Sequence, residues 1–265
     1  MPSASETADI VETARLLANA ARVATLMHFR SGGLIVLSKE VARFDPVTEA
    51  DRVAEREMRA ILAMRRPHDA ILGEEYGHSP GTSGLTWVLD PIDGTRGYLA
   101  GTPTWGVLIS VGNAEGPIYG LIDQPFIGER FEGGLGRASV CGPQGTLPLR
   151  CRAPRPLDQA ILLSTFPEIG TPAEAVAFAG VARQVRLVRY GMDCYGYALL
   201  AAGQVDLVIE AGLQAYDVQA PMAVIRAAGG IVTNWQGGPC PEGGQVLAAA
   251  NTEVHAAAMA LLADR

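Results

Sequence analysis

Cysteine is scarce in this chain: Cys141, Cys151, Cys194 and Cys240 are the four in 265 residues. They stand far apart with no C-x-x-C pair, which argues against a zinc knuckle or a disulfide framework and leaves reduced thiols as the expectation. Basic residues are also outnumbered, 21 Lys and Arg against 28 Asp and Glu, for a net charge of −7. They are scattered rather than striped along one face, so a nucleic-acid partner is not expected. No apolar run reaches ~18 residues, the least that reads as a membrane span. The opening MPSASETADIVE has neither the basic region nor the apolar core of a signal peptide. These absences predict a cytoplasmic protein with no membrane partner. His28, His68, His78 and His255 are isolated and lack zinc-ligand spacing. Low-complexity linkers and internal repeats are missing as well.

What is present is apolar: 48% of the residues are hydrophobic, enough to bury a full core and to exclude disorder. Ile10, Ala14, Leu17, Ala21, Ala24 and Met27 recur at helical spacing behind a Ser3-x-x-Glu6 capping signal. A second helix is signalled by Ala50, Ala54, Met58, Ile61 and Leu62, with Thr48 to cap it, Asp51 in its first turn and Pro67 to stop it. From Ala70 to about Cys141 short apolar runs alternate with Gly, Pro and Asn, the texture of a largely antiparallel sheet. Beyond it, strands such as VDLVIE and QVLAAA alternate with helical stretches such as CYGYALLAAG and VQAPMAVIRAAGG. The reading is one compact α/β unit of two intimate halves. Residues 1–140 form an α+β half and residues 141–265 an α/β half.

The stretch LTWVLDPIDGTRGYLAG poses the functional question, because a good strand runs into Asp90 and Asp93. Leu85 to Leu89 suit a strand ending at Asp90, since Pro91 cannot extend a ladder and Gly94 permits a tight turn. Close carboxylates repel unless something positive sits between them, and a hard cation with oxygen ligands is the common remedy. Turn bonds and a cap for the next helix would also account for the pair. Glu74 and Glu75 end a second strand in carboxylates. Asp217 opens a helix, where an N-cap role suffices, and Asp51 suits a helix dipole. Gly94 and Thr95 add backbone N–H groups at a turn, able to hold a phosphate oxygen. Together these parts support metal-assisted hydrolysis of a phosphate ester.

Gly73-Glu74-Glu75, Asp90-Pro-Ile-Asp93-Gly-Thr95 and Tyr216-Asp217 before an Ala-Ala-Gly-Gly helix end resemble the inositol monophosphatase superfamily of magnesium-dependent phosphatases. The resemblance implies a five-layer α-β-α-β-α sandwich. It also implies metal ligation by Glu74, Asp90, the Ile92 carbonyl, Asp93 and Asp217, with two or three Mg²⁺ ions per site, or Mn²⁺. Asp51 would pair with Thr95 to orient the attacking water, Glu74 would serve the same step, and the Gly94 and Thr95 amides would hold phosphate. Lys39 lies near a lysine that steadies this region in the family. A homodimer is the family expectation.

The runs GLIDQPFIGERFEGG and GMDCYGYALLAAGQVDLVIEAG narrow the resemblance to the histidinol-phosphate phosphatase type. L-Histidinol phosphate carries an ammonium and an imidazole, and a carboxylate beside a cation is favoured. Asp193 and Glu210 are the candidates for that cationic end. Helix capping by Asp193 and a solvated strand end at Glu210 are their ordinary alternatives. Hydrolysis of inositol 1-phosphate or of assorted sugar phosphates is the alternative activity, and a non-catalytic scaffold is the alternative from another class.

Overall fold

The structure, a computed structural model, describes residues 2–31, 36–38 and 46–263. In chain order these form α1 (Ala4–His28), β1 (Val36–Ser38), β2 (Pro46–Thr48), α2 (Glu49–Arg65), β3 (Ala70–Gly73), β4 (Gly77–Ser79), β5 (Thr86–Asp93) and α3 (Thr95–Ala100). Next come β6 (Gly106–Asn113), β7 (Gly116–Gln124), β8 (Glu129–Gly134), β9 (Arg137–Gly142), β10 (Gly145–Pro148) and, after a 3-10 turn, β11 (Ile161–Ser164). The chain then runs through α4 (Pro172–Ala182), β12 (Leu187–Tyr190), α5 (Asp193–Ala201), β13 (Leu207–Gln214), α6 (Ala215–Ala227), β14 (Ile231–Thr233), β15 (Gly243–Ala249) and α7 (Thr252–Ala263).

Strand alternation builds the layers. In β6, Val107, Ile109 and Val111 point to one face and join α1 and α2 in an outer core, whereas Leu108 points to the other face. In β13, Leu207 and Ile209 pack outward with α4 and α7, and Val208 packs inward. Helices α5 and α6 lie between the two sheets and share one core with Leu108, Ile122 and Val208. The result is α1 and α2, an eight-stranded sheet, α5 and α6, a five-stranded sheet, then α4 and α7: the α-β-α-β-α sandwich expected from the sequence.

The first sheet has the order β10-β9-β8-β7-β6-β5-β3-β4 and is antiparallel except where β3 runs parallel to β5. The second has the order β12-β11-β13-β15-β14. Helix α6 sits close on the first sheet because Gly120 and Gly133 have no side chains. A Cβ at either would press into the backbone of Ala220 or Val224. Ser3 caps α1 by accepting from Glu6 N at 3.2 Å. Met27, read from its spacing as part of the buried stripe, is instead 69% exposed, because the packed face of α1 ends at Thr25. Trp87, Trp105 and Trp235 are all core residues.

Candidate active site

Strand β5 turns the spacing of its two aspartates into a shared face. Residues three apart on a regular strand point to opposite sides. Here Asp90 lies opposite Leu108 and Asp93 opposite Gly106, so three steps on β5 span two on β6. The extra residue is a bulge, and it returns both carboxylates to one side. The sequence alone suggested a strand ending at Asp90; the strand instead continues to Asp93. Pro91 falls within the irregularity, where the ladder needs no N–H. Ile92 N donates to Asp90 Oδ1 at 3.0 Å, which fixes the bulge from within.

Glu74 reaches the same place through sheet register. Gly73 pairs with Leu89, and Glu74 N donates to the Leu89 carbonyl at 3.1 Å, so Glu74 stands beside Asp90. Asp217 arrives on α6. The N-cap role, its ordinary alternative, does not hold, because Gln214 takes that position and Asp217 is the third helical residue, accepting from Gln214 N at 2.7 Å. The helix N-terminus favours a carboxylate there.

One carboxylate oxygen each from Asp90, Asp93 and Asp217 lies within 4.8 Å of the others. Burial, then the charges of Glu74, Asp93 and Asp217, push the Asp90 carboxyl well above the usual range. Burial, then Asp193 and Asp217, do the same to Asp93, against a bond from Cys194 N at 2.6 Å. An all-oxygen set of crowded acids is the donor chemistry that a hard divalent cation satisfies. The residues therefore fit the metal that the sequence implies.

Asp51 is buried and accepts from Thr48 N at 2.8 Å and Thr48 Oγ1 at 2.5 Å, completing a capping box on α2. Burial, with the nearby charges of Glu75 and Glu74, raises it to about 7 against those bonds. Thr95 Oγ1 donates to the Ile92 carbonyl at 3.2 Å. A bond from Thr95 to Asp51 thus requires that hydroxyl to turn away from Ile92. Gly94 adopts φ +83°, and any side chain there would collide with the Asp193 carboxyl. The short helix α3 that follows is anchored by Tyr98, whose hydroxyl donates to the Thr25 carbonyl at 2.7 Å and whose ring packs on Phe29 and Trp105.

Asp193 is the first residue of α5 and one of three non-glycine residues with positive φ, at +46°, among the described residues. Its carboxylate covers Gly94 and receives a bond from Thr104 Oγ1 at 3.4 Å. Burial raises its pKa, while Thr104 and the charge of Arg96 act against the rise. Glu210, on β13, accepts from Thr165 N at 2.6 Å and Thr165 Oγ1 at 2.9 Å. It is only 6% exposed, unlike a solvated strand end. Burial lifts it to about 7, and the charge of Asp193 adds to the lift. Glu74, Asp93, Thr95, Asp193, Glu210 and Asp217 line one cleft of about 770 Å³.

Sequence reasoning passed over several residues of this cleft and its supports. Arg96 lies over the Phe166 ring at 5.0 Å on the cleft wall, and Thr165 holds Glu210. The two motif runs touch: Gln124 Nε2 reaches Cys194 Sγ at 3.3 Å, and the Tyr195 hydroxyl donates to Glu129 at 2.9 Å. Their spacing could not show this, because 70 and 66 residues separate the partners. All four cysteines are free thiols. His255 is buried against Thr233 Oγ1 at 2.8 Å, and no histidine joins an acid or thiol cluster among the described residues. Lys39 lies outside the described residues. No described helix is long and apolar enough to cross a membrane.

Comparison with known proteins follows the same lines. The model of the inositol monophosphatase family matches residues 8–265. The chloroplastic bifunctional phosphatase IMPL2 of Arabidopsis thaliana is 43% identical over 194 residues, 72% of this chain and 55% of that protein. The chain thus spans about half of that plant relative. The histidinol-phosphatase of Streptomyces coelicolor is 34% identical over 93% of this chain and 94% of its own length. Among solved structures, an inositol monophosphatase from Zymomonas mobilis superposes with a TM-score of 0.86 at 36% identity, covering 98% of this chain and 99% of that one. With the family model spanning nearly the whole sequence and a solved structure of that fold superposing along it, the chain belongs to the inositol monophosphatase family and is a phosphoric monoester hydrolase.

Proposed function

We propose that the protein hydrolyses L-histidinol phosphate to L-histidinol and phosphate, in histidine biosynthesis, with Mg²⁺ held by Glu74, Asp90, Asp93, Asp217 and the Ile92 carbonyl. When bound, the metal neutralises the phosphate, lowers the pKa of a water and stabilises the leaving alkoxide. The rest falls to the chain's own groups. Asp51, raised to about 7, is suited to accept a proton near neutral pH once the Thr95 hydroxyl leaves Ile92 and bridges to it. The Gly94 and Thr95 amides orient the phosphate, and the bulge in β5 keeps its two acids on one face of the strand. No covalent phosphoenzyme is required. We further propose a cytoplasmic homodimer, with residues 1–140 supplying most of the ligands and 141–265 the substrate contacts.

The observation that carries the choice of substrate is the pair Asp193 and Glu210, a half-buried and a buried acid on the wall of the same cleft as the acid cluster. A cationic leaving group would repay their burial, whereas hydroxyls alone would not. Relatives of both activities support hydrolysis of a small phosphate ester equally. Phosphate release from L-histidinol phosphate and myo-inositol 1-phosphate, measured side by side, tests the reading. A higher kcat/KM is expected for histidinol phosphate, and the reverse order would assign the chain to inositol phosphate.

A further inference from the structure

We infer that Glu55, a buried acid on α2, is the positioning residue that sets Glu74 in the metal-binding cluster. Its side chain is 0% exposed. One carboxylate oxygen accepts from the Glu75 backbone N–H at 2.7 Å and the other from the Tyr76 N–H at 3.2 Å, so it grips the two residues that follow Glu74. On the other side, Glu74 N is fixed to Leu89. The Glu74 backbone is therefore held between the sheet and one carboxylate. Arg59, one turn along, donates to Glu55 at 2.7 Å and balances its charge. Gly73 makes room for the arrangement, since a methyl there would overlap the Glu55 carboxylate and crowd Arg59.

Helical spacing gives the contact its meaning. Asp51 and Glu55 are four residues apart and share one face of α2. The same rigid helix thus carries the acid expected to serve the water and the acid that holds the Glu74 turn, and it fixes their separation. A salt bridge used only to pin a helix would engage the partner's side chain. Glu55, besides its pair with Arg59, engages backbone amides next to a candidate ligand.

This inference rests on the metal reading of the cluster, so the test measures metal binding directly. Mn²⁺ is titrated calorimetrically into the wild type and into Glu55→Gln, Gly73→Ala and Arg59→Met, with unfolding midpoints recorded in EDTA. In Glu55→Gln an NH₂ group must face a backbone donor, and in Gly73→Ala the carboxylate is pushed aside. Both are expected to bind Mn²⁺ at least tenfold more weakly than the wild type. Arg59→Met loses the Arg59 bonds to the Gly77 carbonyl and Ser79 but leaves the Glu55 bonds to the Glu75 and Tyr76 amides in place, and is expected to lower the midpoint while keeping Mn²⁺ affinity within threefold. Wild-type-like affinity in Glu55→Gln or Gly73→Ala overturns the positioning role, as does an equal loss in all three variants, which would make Glu55 a structural brace. No Mn²⁺ binding by the wild type overturns the metal reading and this inference with it.

Discussion

The molecule buries two kinds of acid, and they are handled in opposite ways. Between α1 and the first sheet, Asp123 is fully buried and meets Arg22 at 2.7 and 2.9 Å and Arg130 at 2.7 Å. Glu132 on the next strand takes both ends of the Arg15 guanidinium at 2.6 and 2.7 Å. In the cleft, Asp90 and Asp93 face other carboxylates: Glu74, Asp193, Asp217 and each other. Burial alone therefore does not mark function. An acid met by a planar guanidinium is satisfied within the fold and pins one layer to another. Acids that crowd one another hold unfavourable energy that an arriving cation relieves.

The largest effect expected from this contrast is catalytic. Asp93→Asn should fold, because the side-chain oxygen that remains can accept from Cys194 N, yet turnover should fall by orders of magnitude as one charge leaves the cluster. Wild-type turnover at ordinary Mg²⁺ would return both β5 aspartates to a turn-and-cap role. The mirror experiment removes a partner on the other side of the molecule. Arg22→Ala leaves Asp123 fully buried with one guanidinium fewer and should cost about 3 kcal/mol in urea denaturation, while kcat stays within threefold. A large loss of kcat without loss of stability would erase the distinction between the two acid sets.

Glu210 sharpens the comparison through pH. Its folded pKa, about 7, lies above its ordinary 4.5, so the folded state binds the extra proton between those values. Its contribution is present in full below pH 4.5 and is lost as pH rises through 7, by at most about 3 kcal/mol. In EDTA, Glu210→Gln should remove that part of the fall in stability between pH 5 and 8. An unchanged difference between pH 5 and 8 would mean that Glu210 is not the group titrating.

The effect on substrate choice is of similar or smaller size. Asp193→Ala should lower kcat/KM for histidinol phosphate by roughly 1.5–3 kcal/mol, the range for a hydrogen bond to a charged group. Glycerol 2-phosphate should change by only a few-fold. Because the Asp193 carboxylate also covers Gly94, equal losses on both substrates would identify it as a support of the phosphate loop.

Much of this was legible in the sequence, for reasons that differ by residue. The layers follow from alternation in strands such as β6 and from helical spacing in α2, both of which survive folding unchanged. The Asp-Pro-Ile-Asp-Gly-Thr run, Glu74 and Asp217 were readable as motifs. Their convergence was implied by the family resemblance, but how the fold achieves it was not legible, because it depends on a bulge at Pro91 that looks in sequence like the end of a strand, and on parallel pairing of β3 with β5. The ordinary alternative for Asp217, a helix cap, is not realised because Gln214 takes the N-cap, an unusual choice at a position that favours Ser, Thr, Asp or Asn. Glu55 gave no signal, since an acid in the charged run EADRVAERE reads as a solvated face until the turn it grips folds over it.

The central claim, that the cleft acids are arranged for a cation at a cost to the fold without one, is tested most directly by thermal unfolding of the wild type and Asp93→Asn in EDTA and in Mg²⁺. The wild type should gain stability from Mg²⁺ by mass action. Asp93→Asn should gain little from Mg²⁺ and, in EDTA, should unfold at or above the wild-type temperature, because one of the repelling charges is gone. A wild-type midpoint indifferent to Mg²⁺, together with a lower midpoint for Asp93→Asn in EDTA, would contradict the claim and make these aspartates structural.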